Sequence, residues 1–403
     1  MTTSDLQSTG HRPQYPPGFR ARRGLNWGFI GLLYTSFYMC RYNFSLANKS
    51  ISSEFHFSRA DMGSIITTAL LAYACGQIIN GLLADRLGGK RAMLIGAAGT
   101  IIMNVLFGVA SFWGLLWMFV AIRGVDGYMQ AFGAPGMVKI NAAWFGKTER
   151  GRFAGIFGFM INLGRFGIFT LGPALLAGFV FLGMWQVPPL HWRWLFWVPS
   201  GIAAVAAVCM ALFVKDTPEE ARFENVHPDD RADHEVRASF GEVLKTIVSN
   251  PVVWIVALAY ACTGAVRQGI DQWFPRFMQE VHHVELKSSQ FQTLVYLIPL
   301  VATLGSLVSG YVSDLFFNGR RAPVAAALYF LETAVILAAA QFSSVNSAIV
   351  FLVLIAFTAN STHSILGTAA AMDIGGAKMA GFASGLIDSF QYFGGSLAGF
   401  FLG

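Results

Sequence analysis

Two arginines, Arg41 and Arg267, lie inside long apolar stretches of the sequence at 24–47 and 251–280. An ionised side chain at the centre of a membrane costs about 2.5–3.5 kcal/mol on insertion scales, so such a residue indicates function. The planar guanidinium donates two parallel hydrogen bonds to phosphate oxygens, whereas a lysine acts as a point charge. The two residues therefore predict a binding site for a phosphate dianion. Two arginines that snorkel to the interface or pair structurally are the alternative.

Polar and aromatic side chains accompany these arginines. Tyr34 and Tyr38 precede Arg41 by seven and three residues, which places them on the same face of a helix. Each tyrosine could donate to a substrate or only pack against a neighbouring helix. The further candidates for substrate binding are Tyr73, Gln77, Asn162, Trp273 and His363. Of these, His363 is either a titratable donor or a structural histidine.

Arg165 and Asp388 are two further charged residues in apolar runs, at 151–182 and 379–403. A stabilising or gating charge pair and a proton-coupling site both fit them, and the charge pair is the preferred interpretation. The apolar runs contain no nucleophile–base pair and no spacing typical of metal ligands. The sequence therefore argues against an enzyme and predicts no cofactor.

The elements that must position these residues are membrane-spanning helices. Of the 403 residues, 55% are hydrophobic and 12% are charged, and the mean hydropathy is +0.53. Soluble domains carry about 25% charged residues, and a spanning helix needs roughly 20 apolar residues. We therefore predict an all-α polytopic membrane protein. Its eleven predicted helices are 24–47, 61–83, 92–110, 113–139, 151–182, 193–214, 251–280, 289–313, 322–342, 346–372 and 379–403.

Lysine and arginine are distributed unevenly over the connecting segments. With the N-terminus inside, the inner segments carry 19 of these residues and the outer segments carry 4. Because positive residues concentrate in cytoplasmic loops, we predict a cytoplasmic N-terminus and location in the cell (inner or plasma) membrane. The same distribution accounts for the pI of about 9.2 without nucleic-acid binding.

The charged stretch 215–250 divides the predicted helices into six before it and five after it. The expected organisation is therefore a cytoplasmic tail (1–23), a six-helix bundle (24–214), a cytoplasmic linker (215–250) and a C-terminal bundle (251–403). The two bundles resemble each other, since the Gly81…Asp85 pattern recurs 229 residues later. Parallel repeats are typical of transporters that rock around a central site. The repeat also predicts a twelfth helix, which this chain lacks.

The loop 81–91 and its second copy at 310–321 resemble the signature of the major facilitator superfamily, and Arg123-Gly124 with Gly127 resembles its second motif. Gly81 is expected to allow close helix approach, and the charged residues to tie or gate the inner helix ends. The predicted gating and motif residues are Gly81, Asp85, Arg86, Lys90, Arg91, Glu149, Arg150, Asp314, Arg320 and Arg321.

Within that superfamily the chain is similar to the organophosphate:phosphate antiporter family, which includes the glycerol-3-phosphate and hexose-phosphate transporters. The similarity is carried by YMCRYNF at 38–44, WFGKTERG at 144–151, RQGIDQWFP at 267–275 and the glycines 394–395. It implies the major facilitator fold and a phosphate held by Arg41 and Arg267. Gln77 and Tyr42 replace lysines of the glycerol-3-phosphate transporters and Asn162 replaces a histidine, which argues against glycerol 3-phosphate itself.

The resulting functional hypothesis is a secondary antiporter that exchanges a small organic phosphate for inorganic phosphate by alternating access. It is expected to act as a monomer in the lipid bilayer, without a nucleic-acid partner. Two alternatives stay open at this point. One is a proton-coupled symporter for an organic anion, with Asp388 or His363 carrying the proton. The other is a transporter-like sensor of sugar phosphate that signals to a kinase partner.

Overall fold

A computed structural model describes residues 15–145, 150–181, 183–223, 241, 245, 248–317 and 320–403, and within these ranges it leaves out the side chains of residues 85, 150–157, 181, 314 and 368–384. Its longer helices are α1 Phe19–Phe55, α2 Arg59–Leu87, α3 Gly89–Ala110, α4 Leu116–Gln130, α5 Gly133–Trp144, α6 Arg150–Ala177, α7 Trp194–Phe213, α8 Pro251–Glu280, α9 Ser289–Phe316, α10 Arg321–Ala339, α11 Val345–Ser364 and α12 Ala371–Leu402.

The predicted polytopic helical architecture is confirmed. Eight helices of the described part are long and apolar enough to cross a membrane. N-terminal capping residues mark the beginning of two of these helices. Ser58 and Asp61 form a capping box at α2, and Ser288 caps α9. The helix predicted over 113–139 is broken into α4 and α5 around Ala131 and Phe132, so both helices correspond to one predicted membrane-spanning helix.

Several predicted helix boundaries are wrong, and the first helix, expected to end at residue 47, continues to Phe55. The helix expected over 151–182 ends at Ala177, because Gly178 adopts a left-handed φ of 75° and turns the chain into a short hairpin. Strands β1 Phe179–Phe181 and β2 Trp185–Val187 pair antiparallel in that hairpin. The break expected at 373–378 lies in helical backbone instead, since α11 continues through a π-helical turn, Ile365–Ala370, directly into α12.

Helices α1–α7 form the first half and α8–α12 the second half. The halves meet where α2 packs on α12, α1 on α8 and α6 on α9. Where α1 ends and α2 begins, Arg276 donates to Asn48 at 2.8 Å, and Arg59 pairs with Glu280 at 3.0 Å. These contacts hold the two halves together at that end of the molecule.

Within the second half, α8 and α12 approach each other closely through glycine. A Cβ at Gly264 would strike the backbone carbonyl oxygen of Gln391, and a Cβ at Gly394 would strike that of Ala261. Backbone atoms cannot move aside as a flexible side chain can, so only glycine fits at both places. This contact fixes which residues of α12 face Arg267.

Candidate functional site

Arg41 of α1 lies in a cage of aromatic rings. Its side chain is 5% exposed, and its Cζ lies 4.5 Å and 4.2 Å from the ring centroids of Tyr38 and Tyr73. Nε donates to Oε1 of Gln130 at 2.9 Å, and Nη1 donates to the hydroxyl of Tyr392 at 3.0 Å. Nη2 has no hydrogen-bond partner among the described residues. The cage therefore holds a cation with a donor to spare, which is complementary to an anion.

Arg267 of α8 is also 5% exposed. With the Gln391 amide turned to satisfy its neighbours, the amide oxygen accepts from Nη1 of Arg267 at 2.6 Å. Nη1 also lies 3.4 Å from Nδ1 of His363, and Nε has no partner among the described residues. Gln391 and Tyr392 are consecutive, so a single turn of α12 contacts Arg267 and Arg41 from the two halves.

Asp388 lies one turn before this point on α12 and is partly exposed. Its Oδ2 accepts from Nε2 of Gln77 at 3.2 Å, and its Oδ1 accepts from the turned amide of Gln391 at 3.2 Å. Gln77 also donates to the hydroxyl of Tyr73 at 3.0 Å. One acidic side chain thus lies beside both arginine environments and contacts both halves.

A buried polar network behind Arg41 fixes its position. Gln130 donates to Asp126 at 2.9 Å, and Arg123 donates to the same carboxylate at 2.6 Å. Arg123 also donates to the backbone oxygen of Arg41 at 2.5 Å. Asn104 donates to the other oxygen of Asp126 at 3.1 Å. Because each charge of this network is paired, the network restrains Arg41 without neutralising its guanidinium.

Arg165 does not have the partner that the sequence analysis preferred. It forms a buried ion pair with Asp271 of α8, in place of the expected pair with Asp388. The Asp271 carboxylate also accepts from the hydroxyl of Tyr42 at 3.1 Å, and Ser45 donates to its backbone oxygen at 2.9 Å. Helix placement explains the difference: side chains of α6 reach α8, as the ring of Phe169 does at Phe274, whereas α12 packs on α2.

The other predicted substrate residues lie around the arginines at varying distance. The ring of Tyr34 packs on Tyr38, with centroids 5.4 Å apart, and so lies behind the cage. Asn162 donates to Thr303 at 3.2 Å across the α6–α9 contact. Trp273 lies nearly two turns beyond Arg267 on α8, and its buried Nε1 has no partner among the described residues.

The predicted loop motif makes ties between helices at two places. The backbone nitrogen of Lys90 donates to Asp216 at 2.7 Å, and its Nζ donates to the carbonyl of Ala211 at 2.7 Å. Arg321 donates to Ser313 at 2.9 Å. The remaining basic residues of the motif are exposed: Arg86, Arg91 and Arg320.

The expected close approach at Gly81 is wrong for this structure. A Cβ at Gly81, or at its repeat Gly310, would meet no described atom within 4 Å. Helix α2 instead approaches α4 at Gly76, where a Cβ would lie 2.7 Å from that of Ala131. Four predicted motif residues lie outside the described part, wholly or in their side chains: Asp85, Glu149, Arg150 and Asp314.

Comparison with known proteins agrees with this helical arrangement. The family model described as Major Facilitator Superfamily matches residues 30–399. The chain belongs to the Major Facilitator Superfamily. It is therefore a multi-pass membrane protein of a transporter family, as its composition predicted, and not an enzyme.

Individual relatives show which family within the superfamily this chain resembles. The membrane sensor protein UhpC of Escherichia coli (strain K12) is 27% identical over 92% of this chain and 83% of its own length. The glycerol-3-phosphate transporter of Bacillus subtilis (strain 168) is 26% identical over 91% of this chain and 83% of its own length. These relatives confirm the predicted resemblance to the organophosphate:phosphate antiporter family.

A solved structure supports the fold of this superfamily member. The bacterial homolog to the human lysosomal transporter Spinster, in an inward-facing and unoccupied conformation, superposes with a TM-score of 0.75. The match covers 94% of this chain and 81% of the other, at 20% identity. The predicted major facilitator fold is thus confirmed.

Sequence reasoning missed Gln130, Gln391 and Tyr392, which contact the two arginines directly. One weak signal was available for Gln130, because it follows Asp126 by four residues and so shares its helix face. No comparable signal marks Gln391 or Tyr392, whose role depends on how α12 is rotated against α8.

Proposed function

We propose that this chain exchanges a small organic phosphate for inorganic phosphate, by alternating access to a site formed by Arg41 and Arg267. The observation that carries the proposal is the convergence of two buried arginines, one from each half, on consecutive residues of α12. Each arginine keeps an unpartnered nitrogen in the described part of the chain. Guanidinium donors of this kind are the residues that bind phosphate oxygens in a defined geometry.

The relatives support phosphate esters as the substrate class. One is named a glycerol-3-phosphate transporter, and the other is named a membrane sensor protein. The organic phosphate is of the glycerol phosphate, sugar phosphate or phosphoglycerate type. The carrier works as a monomer in the inner or plasma membrane, with its N-terminus in the cytoplasm.

Electrostatics explain why exchange is obligatory. Two arginines that have no direct ion pair in the described part of the chain oppose the closed, water-excluding state through which the carrier must pass, because burial of charge without a partner is costly. A bound phosphate dianion neutralises both arginines and draws the two halves together. The loaded carrier therefore reorients readily and the empty carrier does not.

The contacts between the halves identify what must break during the cycle. Arg276–Asn48 and Arg59–Glu280 lie at the end that the lysine and arginine distribution places outside. They close that end, so the opposite state of the carrier requires their separation. Alternating access then consists of a rocking motion of the two halves about the arginines.

Purified protein in phosphate-loaded liposomes tests this function. Labelled phosphate should enter only against a trans phosphate or organic phosphate, and both Arg41→Lys and Arg267→Lys should abolish the exchange. Arg222→Lys, in the segment after α7, serves as the matched control and should exchange normally. Uptake that needs a proton gradient but no trans phosphate would overturn antiport in favour of symport.

The similarity to UhpC favours sensing as a second candidate function. A sensor would bind a phosphate ester at the same arginines without moving it across the membrane. Two measurements separate the two functions. A sensor would bind the phosphate ester, which would raise its Tm, and it would show no exchange in the liposome assay.

A further inference from the structure

We infer that Asp388 makes the site prefer substrates that carry an ammonium group, so that aminoalkyl phosphates or aminoalkyl phosphonates bind more tightly than organic phosphates that carry only hydroxyl groups. This inference rests on the proposed exchange function, since it concerns the same site. It assigns the phosphorus oxyanion to Arg41 and Arg267 and the ammonium to the carboxylate of Asp388.

The position of Asp388 meets the geometric requirement. Only one amide, that of Gln391, separates Asp388 from Arg267, with contacts of 3.2 Å and 2.6 Å on its two sides. Asp388 is partly exposed, whereas Arg267 is 5% exposed. A ligand held by the arginine through one end can therefore reach the carboxylate with its other end through a short alkyl spacer.

The contacts of Asp388 leave its charge uncompensated by any direct ion pair in the described part of the chain. Its hydrogen-bond partners are the side-chain amides of Gln77 and Gln391 and the hydroxyl of Tyr260, which donate hydrogen bonds but carry no charge. The other central acid, Asp271, is neutralised by Arg165. Asp388 is thus the acidic group at the arginines that keeps a negative charge for a ligand to meet.

The charge balance of the site favours a zwitterionic ligand. Arg41 and Arg267 supply two positive charges and Asp388 supplies one negative charge, so the site as a whole carries a single positive charge. A phosphate dianion with only hydroxyl groups would place its charge near the Asp388 carboxylate, and like charges at short range in a low-dielectric site repel. An ammonium on the same ligand removes this repulsion and forms a charge-assisted hydrogen bond.

Competition against labelled phosphate exchange tests the inference with matched probes. Phosphoethanolamine and ethyl phosphate share the phosphate and the two-carbon chain and differ in the amine. We expect phosphoethanolamine to inhibit at a concentration at least tenfold lower than ethyl phosphate or glycerol 3-phosphate. A third probe, 2-aminoethylphosphonate, distinguishes aminoalkyl phosphonates from aminoalkyl phosphates as ligands. It keeps the amine and replaces the ester C–O–P link by a C–P bond.

The variant Asp388→Asn should reduce the ratio of the ethyl phosphate to the phosphoethanolamine inhibition constant to about one. Asp216→Asn, in the loop after α7, is the matched control and should keep the wild-type ratio. An equal or weaker effect of the amine in the wild type would overturn the inference without any variant. Phosphate exchange with a preference for ethyl phosphate would contradict this inference alone, whereas absence of phosphate exchange would remove the proposed function with it.

Discussion

Gln130 of α4 accepts a hydrogen bond from Nε of Arg41 at 2.9 Å. The same amide donates to Asp126 at 2.9 Å, so its orientation is set from behind. An amide held at both ends leaves the guanidinium little freedom to rotate. The position of the candidate phosphate-binding arginine of α1 therefore depends on a residue of α4 in the same half.

Replacing Gln130 by methionine should weaken phosphate binding while preserving packing. Methionine has a similar unbranched shape but cannot accept from Nε, and hydrogen bonds to charged groups contribute about 1.5–3 kcal/mol. We expect the KM for phosphate exchange in liposomes to rise about tenfold or more. Gln341→Met, at an exposed position after α10, provides the control. An unaltered KM in Gln130→Met would show that Arg41 is positioned without this amide.

The buried pair of Arg165 and Asp271 should behave as one energetic unit. Both side chains are at most 4% exposed, and removing one partner of a buried pair leaves an uncompensated charge at a cost of about 3–5 kcal/mol. Arg165→Leu and Asp271→Leu should each lower the Tm in detergent strongly. The double variant should be more stable than either single one, because no charge is then left unpaired.

The exposed ion pair of Arg59 and Glu280 is the comparison for the single and double variants of Arg165 and Asp271. Arg59 is 64% exposed in its side chain, so its pair with Glu280 is screened by water. Arg59→Gln should change the unfolding free energy by less than about 1 kcal/mol. Additive losses in the Arg165 and Asp271 variants would mean that the two residues do not interact, contrary to the structure.

The two arginines and the helical architecture could be predicted from sequence because their signals are local. A charged residue within a long apolar run can be recognised without knowing how the helix is rotated. A membrane-spanning helix can likewise be recognised from its hydropathy without knowing which helix it contacts. The pairing of Arg165 was not predictable, because Asp271 and Asp388 are both carboxylates and only the three-dimensional placement of α6 decides which of them it meets. The same limit applies to Gln391, whose neighbour is chosen by the close contact at Gly264.

The close contact of α8 and α12 should be intolerant of even one methyl group. Gly264→Ala and Gly394→Ala each place a Cβ against a backbone carbonyl oxygen, which cannot yield without moving a helix. We expect overpacking to cost about 1–3 kcal/mol in each variant, together with a loss of phosphate exchange as Gln391 shifts from Arg267. The matched control on α12 is Gly385→Ala, whose Cβ would meet no described atom within 4 Å. A Tm equal to that of the control would contradict the close approach.

The tie between Asp216 and the start of α3 should depend on pH. Oδ1 of Asp216 accepts from the backbone nitrogen of Lys90 at 2.7 Å, as a capping residue does. Partial burial raises the pKa of Asp216 above its usual value of 3.8. The folded protein therefore binds this proton more tightly than the unfolded chain does, and the contribution of Asp216 to stability falls as the pH rises from about 4 through the raised pKa.

Asp216→Asn removes the titration but keeps an acceptor, so the Tm of the wild type relative to this variant should decline over that range. Asp216→Ala removes the acceptor as well and should be about 1 kcal/mol less stable than Asp216→Asn at every pH. A wild-type Tm that gains on Asp216→Asn with rising pH would show instead that the folded protein favours the charged carboxylate.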